Sequence, residues 1–262
     1  MVDFDHIESL GAAFAAARPS LVVNAAAWTA VDAAESAPEA AARANIEGPE
    51  RLARLCAEQR IPLVHISTDY VFDGLKGAPY TEADPTRPTG VYGRTKLGGE
   101  IAALAAWDQV TVLRTSWVYS PFGKNFVRTM LAAAERGVPL RVVADQRGCP
   151  TSALDLAEAV LWVAGRILRG WEPRYRGVFH AAGHGETTWH GFAGAIFSSA
   201  ARYGRSIPDV EAIRTQDWPT PAHRPPDSRL DCSRLGDTFG TSLPPWPQSL
   251  DRTIEALLAP KE

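Results

Sequence analysis

The sequence predicts an α/β protein built on a doubly wound parallel sheet, followed by a smaller and less regular C-terminal region. Two observations predict it. Stretches with apolar residues at helical spacing alternate with short apolar runs, and this rhythm favours parallel strands covered by helices on both faces. After Ser206 the rhythm gives way to proline-rich chain, from Pro208 through Pro219, Pro221, Pro225 and Pro226 to Pro244, Pro245 and Pro247. Such chain predicts loops with a few short elements.

A helix near Asp5–Ala17 is followed, past Arg18-Pro19-Ser20, by the run Leu21-Val22-Val23, which reads as a strand buried on both sides. Pro38 to Arg60 carries Ile46, Leu52, Leu55 and Cys56 at helical spacing, and Gly48-Pro49 inside it predicts a break between two helices. Strand Leu63–Ser67, a polar loop to Pro88 and a helix over Val91–Ala106 follow. Next come strand Val110–Arg114, helix Asn125–Glu135, strand Leu140–Val143, helix Ala153–Leu168 and strand Gly177–Ala181. A helix near Ser249–Leu258 closes the chain. Residues 1–147 read as the sheet region and 148–262 as the second region, with helix 153–168 and strand 177–181 packing back on the first.

The 262 residues carry a net charge of −3, which gives no footprint for nucleic acid or for an anionic membrane. No apolar stretch approaches the roughly 18–20 residues that span a bilayer, and the N-terminus lacks a signal-peptide pattern. Cys56, Cys149 and Cys232 are scattered, so they read as reduced thiols of a cytoplasmic protein. His180, His184 and His190 have no metal-site spacing, and no metal site is expected.

In open α/β sheets ligands bind beyond the carboxyl ends of the strands. Asn24–Trp28, Ser67–Tyr70 and Thr115–Tyr119 stand at such ends. In Tyr92-Gly93-Arg94-Thr95-Lys96 the phenol and the ammonium are four residues apart at a helix start, on one face. A nearby ammonium lowers a phenol's pKa, and a phenol so tuned can give a proton to a carbonyl oxygen as hydride reaches carbon. Tyr-x-x-x-Lys by itself arises readily by chance. Thr68, directly after a strand, can bond the same oxygen or simply cap the following turn with Asp69. The small residues of Val22–Ala27 admit a flat cofactor, or equally tight helix packing.

Together these segments are similar to the dTDP-4-dehydrorhamnose reductase family of extended short-chain dehydrogenases. The matching pieces are residues 23–32, His65–Gly74, Val91–Leu97, Arg114–Tyr119, Asp145–Thr151, Arg224-Pro225 and Ser228–Asp231. The resemblance implies a Rossmann-like fold and reduction of dTDP-4-dehydro-L-rhamnose by NADPH or NADH. It implies that Tyr92 is the proton donor, that Lys96 holds the nicotinamide ribose and lowers the pKa of Tyr92, and that Thr68 bonds the keto oxygen with Asp69 beside it. Trp117 would contact the nucleotide sugar, Ala26, Ala27 and Trp28 would line the cofactor, and Asp3-Phe4 would lie near the adenine. Residues 148–262 would mainly bind substrate.

The family opens on a strand, a glycine-rich loop and a helix, whereas the match here begins at Asp3. The chain therefore reads as N-terminally truncated, by a misplaced start, and weak cofactor binding and poor solubility are expected of it. Gly183-His184-Gly185 lacks the third glycine and is rejected as a dinucleotide loop. Leu154 replaces an acidic magnesium ligand of some family members, which argues against a magnesium-bridged dimer, and Asp227 stands where the family usually has asparagine. The competing readings are another nucleotide-sugar reductase or epimerase, and a non-catalytic regulatory homologue of the same fold.

Overall fold

The computed structural model of the chain describes Phe4 and residues 8–137 and 139–259. Its strands are β1 (Val22–Asn24), β2 (Leu63–Thr68), β3 (Val110–Thr115), β4 (Val118–Tyr119), β5 (Leu140–Val143), β6 (Arg147–Gly148), β7 (Thr151–Ser152), β8 (Gly177–His180), β9 (Thr187–Thr188) and β10 (Val210–Ile213). Its α-helices are α1 (Glu8–Ala17), α2 (Val31–Ser36), α3 (Pro38–Ala42), α4 (Gly48–Gln59), α5 (Val91–Ala106), α6 (Phe126–Glu135), α7 (Ala153–Leu168), α8 (Trp189–Ala201), α9 (Ser233–Phe239) and α10 (Trp246–Leu258).

A parallel sheet runs in the order β1-β2-β3-β8. β3 is buried at every residue and β2 at all but Ile66, as expected of parallel strands with helices on both faces. Alternate side chains feed two cores. Leu63, Val110 and Val112 pack with Leu52, Leu55 and Cys56 of α4 and Ala103 of α5. Val64, Leu113 and Phe179 pack with Leu156, Val160 and Val163 of α7 and Leu235 and Phe239 of α9. β1 lies at the sheet edge, and Val23 is 41 % exposed there rather than buried on both sides.

The break expected at Gly48-Pro49 does not occur. Residues Arg43–Glu47 form a π-helical turn that runs straight into α4. Pro49 follows directly on that wider turn, which accommodates its ring without ending the helix.

From Val118 onward the chain also builds a separate set of small sheets. β5 pairs in parallel with β10, β4 with β7, and β6 runs antiparallel to β9. The expected strand Leu140–Val143 therefore forms but stays out of the main sheet, while β8 joins it, so the chain crosses between regions on both sides of residue 147. Tyr119, Val127, Leu140, Phe192, Ile196, Phe197, Leu250 and Ile254 make a third core between α6, α8 and α10.

Candidate active site

The carboxyl ends of β1, β2 and β3 open onto a cavity of about 820 Å³ lined by Thr68, Asp69, Tyr70, Tyr92, Lys96, Trp117, Ala25 and Ala27, with Leu156 and Val160 of α7. That volume falls within the roughly 300–1,000 Å³ usual for small-molecule sites. A second cavity of about 520 Å³ is lined by Phe4, Ala26, Trp28 and Leu52, and shares Val23, Ala25 and Ala27 with the first. The structure thus gathers Thr68, Asp69, Tyr92, Lys96 and Trp117 in one place and Phe4, Ala26, Ala27 and Trp28 in the adjoining one. Asp3 lies outside the described residues.

Tyr92 and Lys96 occupy the first two turns of α5. The helix starts without a side-chain cap from Gly90, but the Val91 N–H donates to Glu35 Oε1 at 2.7 Å, a carboxylate placed favourably at a helix N-terminus. Gly93 lets this turn approach the preceding loop. A Cβ there would fall 2.2 Å from the Tyr70 carbonyl oxygen, so only glycine brings Tyr92 beside the Thr68–Tyr70 turn. The Tyr70 and Tyr92 rings meet edge to face at 5.6 Å.

Burial pushes the Tyr92 phenol up to about 12, the Thr68 hydroxyl beside it pulls the other way, and Asp69 adds to the rise. Lys96, which the resemblance expects to lower this phenol, lines the same cavity. Lys96 Nζ donates to the Ile66 carbonyl at 2.7 Å, and burial brings its own pKa down to about 8 against the opposing pull of Glu100. Asp69 is 2 % exposed, and burial raises its carboxyl to about 7 although the Ser228 and Thr68 hydroxyls favour the charged form. Thr68 Oγ1 donates to Asp69 Oδ1 at 3.1 Å and accepts from the Tyr70 N–H at 3.2 Å.

Two polar networks fix these groups, and the sequence announced neither. Asn45, buried in the π-helical turn, accepts from the Trp28 N–H at 2.8 Å and donates to the Trp28 carbonyl at 3.2 Å and to Thr95 Oγ1 at 3.1 Å. It ties the end of β1 to the helix of Tyr92, and its place in an apolar helical run hides it from sequence. The second network joins Glu100 of α5 to Arg114 of β3 through paired bonds of 2.9 and 2.7 Å, with Ser67 Oγ also donating to Glu100. Arg114 is 4 % and Glu100 1 % exposed.

Trp117 has a φ of +46°, which is rare for a bulky residue and costs of order 1–3 kcal/mol. Asp227 forms a two-bonded ion pair with Arg229 at 2.8 and 2.7 Å, so its charge is absorbed locally. Arg224 bridges to Asp32 of α2 at 2.8 Å and joins the second region to the first beside Tyr70. His180 is buried, with Nδ1 at 3.1 Å from the Tyr80 and Asp231 carbonyls, and His190 Nε2 meets the Val210 carbonyl. The three cysteines are free thiols. Among the described residues no helix is long and apolar enough to cross a membrane.

A parallel sheet with a phenol, an ammonium and a hydroxyl gathered beyond its carboxyl ends defines a Rossmann-like protein of the short-chain dehydrogenase type. The model of the RmlD substrate binding domain matches residues 1–259, and the chain belongs to that family. It is 49 % identical over 243 residues to the dTDP-4-dehydrorhamnose reductase of Sinorhizobium fredii, covering 92 % of this chain and 82 % of that one. The crystal structure of a dTDP-4-dehydrorhamnose reductase from Clostridium acetobutylicum superposes with a TM-score of 0.90 at 37 % identity, covering 98 % of this chain and 87 % of that one. The Bacillus anthracis dTDP-4-dehydrorhamnose reductase, solved in complex with NADP, matches with a TM-score of 0.88 at 30 % identity over 96 % of this chain and 86 % of its own.

Proposed function

We propose that this chain reduces the 4-keto group of dTDP-4-dehydro-L-rhamnose to give dTDP-L-rhamnose, with NADPH or NADH as reductant. The observation that carries the reading is the meeting of Tyr92, Thr68 and Lys96 on one cavity at the strand ends. The names of the relatives supply the substrate, and the NADP held by the Bacillus anthracis structure favours NADPH.

The residues present suit the nicotinamide end of such a cofactor. Ala25 and Ala27 form a wall without large side chains, shared by both cavities, and Lys96 has N–H groups beyond the one given to Ile66. A nicotinamide bound there would supply the hydride. Tyr92, held protonated at neutral pH by burial, donates its phenolic proton to the developing alkoxide oxygen. The Thr68 hydroxyl is placed to bond the same oxygen, stabilising charge as it forms. Lys96 would hold the ribose hydroxyls and stabilise the phenolate that Tyr92 leaves behind. Asp69 and Trp117 bound the sugar. Residues 1–147 serve cofactor and catalysis, and 148–262 mainly the substrate. The setting is the cytoplasm, which the three free thiols favour.

The test is NADPH oxidation in the presence of dTDP-4-dehydro-L-rhamnose. Tyr92→Phe is expected to lower kcat by about 10²–10⁴-fold with the fold intact. Unchanged turnover in that variant would refute the assignment.

A further inference from the structure

The Trp117 indole is contacted on two sides, by Trp189 and by Gly148. Its ring stacks on Trp189 with centroids 3.6 Å apart and planes 9° from parallel. A Cβ on Gly148 would fall 2.4 Å from Trp117 Cε2, 2.6 Å from Nε1 and 2.7 Å from Cζ2. Cε2 lies between the other two atoms, so its being nearest places Gly148 over the ring rather than at its rim. Trp189 lies in stacking contact over one face, and Gly148 stands over the Nε1–Cε2–Cζ2 side of the other.

Both jaws belong to one ladder. Gly148 of β6 pairs with Thr187 of β9, Arg147 pairs with Thr188, and Trp189 is the next residue. Thr188 caps α8 by accepting the Gly191 N–H at 3.0 Å, which fixes where α8 starts and hence where Trp189 stands. Phe126 supports Trp189 from α6 at 4.7 Å. The Trp117 carbonyl accepts from the Thr151 N–H at 3.2 Å, so the backbone is anchored in its left-handed conformation while the ring is gripped.

We propose that Gly148 and Trp189 are positioning residues that clamp Trp117, so that the sugar ring of the nucleotide-linked substrate meets the indole as a fixed wall. Trp189 takes one face, and Gly148 stands over the Nε1–Cε2–Cζ2 side of the other, so the indole is held in place while part of it still faces the cavity. The wall selects by shape, and its position is set by the second region rather than by the sheet. This role rests on the reductase reading above.

The test compares Trp189→Ala, Trp189→Phe and Gly148→Ala in the full chain, by steady-state NADPH oxidation with dTDP-4-dehydro-L-rhamnose and by circular dichroism. The two stacked indoles should give an exciton couplet that Trp189→Ala and Trp117→Ala both abolish. Trp189→Ala should raise KM about two- to tenfold, the worth of one aromatic pair, with kcat unchanged. Trp189→Phe should restore KM, and Gly148→Ala should raise it by displacing the indole. In a Trp117→Ala background, Trp189→Ala should add nothing further. An unchanged KM in Trp189→Ala, or an effect that simply adds to that of Trp117→Ala, overturns the clamp. A wild-type chain that keeps the couplet but does not oxidise NADPH with this sugar overturns the reductase reading, and the clamp's role with it.

Discussion

The sheet region and the second region stabilise themselves by different means. At the carboxyl end of the sheet the buried groups are polar or charged: Thr68, Asp69, Lys96, Glu100 and Arg114 are all under a tenth exposed. Each is held by hydrogen bonds whose directions leave little freedom. The second region has its own buried Asp227–Arg229 pair but packs mainly through stacked and tilted rings shared with the end of the first, with Phe192 5.3 Å from Tyr119, 5.7 Å from Phe126 and 5.6 Å from Trp246. Buried polar groups are costly unless every partner is present, so they are expected where chemistry needs them. Aromatic packing tolerates small shifts and supplies shape. The comparison assigns reactive groups to the first region and the form of the site to the second, and they meet at Trp117 and at the Arg224–Asp32 bridge.

Breaking the polar side should have the largest effect. Glu100→Gln leaves Arg114 buried beside a neutral amide, and loss of one partner of such a pair costs about 3–5 kcal/mol. Urea denaturation should show that loss. The fraction still folded should also have reduced kcat, because Glu100 joins the helix of Lys96 to Ser67, next to Thr68. Full activity per folded molecule would remove this network from the site.

Asp69 sharpens the comparison through pH. Its carboxyl releases a proton near 3.8 in the unfolded chain and near 7 in the folded one. The folded state therefore holds more protons between those values, and this group's contribution to stability falls as pH rises from about 4 to about 7. Denaturation midpoints for Asp69→Asn should lack that fall. His180 works with the opposite sign, since burial lowers its pKa to about 3 and stability is lost as pH falls from about 6.5. A slope unchanged by Asp69→Asn would mean that the carboxyl is ionised in the folded protein.

The smallest effect belongs to the aromatic side. Ile196→Val in the third core should cost about 0.5–1.5 kcal/mol in thermal or urea unfolding and leave kcat unchanged. A large fall in kcat would show that packing in the second region reaches the reacting groups.

Much of this was legible in the chain. Helices Val91–Ala106 and Ala153–Leu168 and strand Leu140–Val143 stand where their patterns predict, because apolar spacing and flanking breakers are local properties. Tyr92 and Lys96 share one face of α5 for the same reason, and Thr68 stands at a strand end because a polar residue follows a run of buried ones. Sequence alone thus determined the alternation of elements and the residue types at the strand ends. Tertiary structure decided the rest, because each remaining feature depends on residues distant in the chain. The partner of β5 lies 70 residues away at β10. Asn45 matters only once Trp28 and Thr95 converge on it, and the Lys96 ammonium finds the Ile66 carbonyl 30 residues back in the chain. Trp117 is fixed between Gly148 and Trp189 only when the ladder of β6 and β9 forms. Periodicity carries no record of such meetings, since burial and hydrogen-bond direction are set by the packed whole.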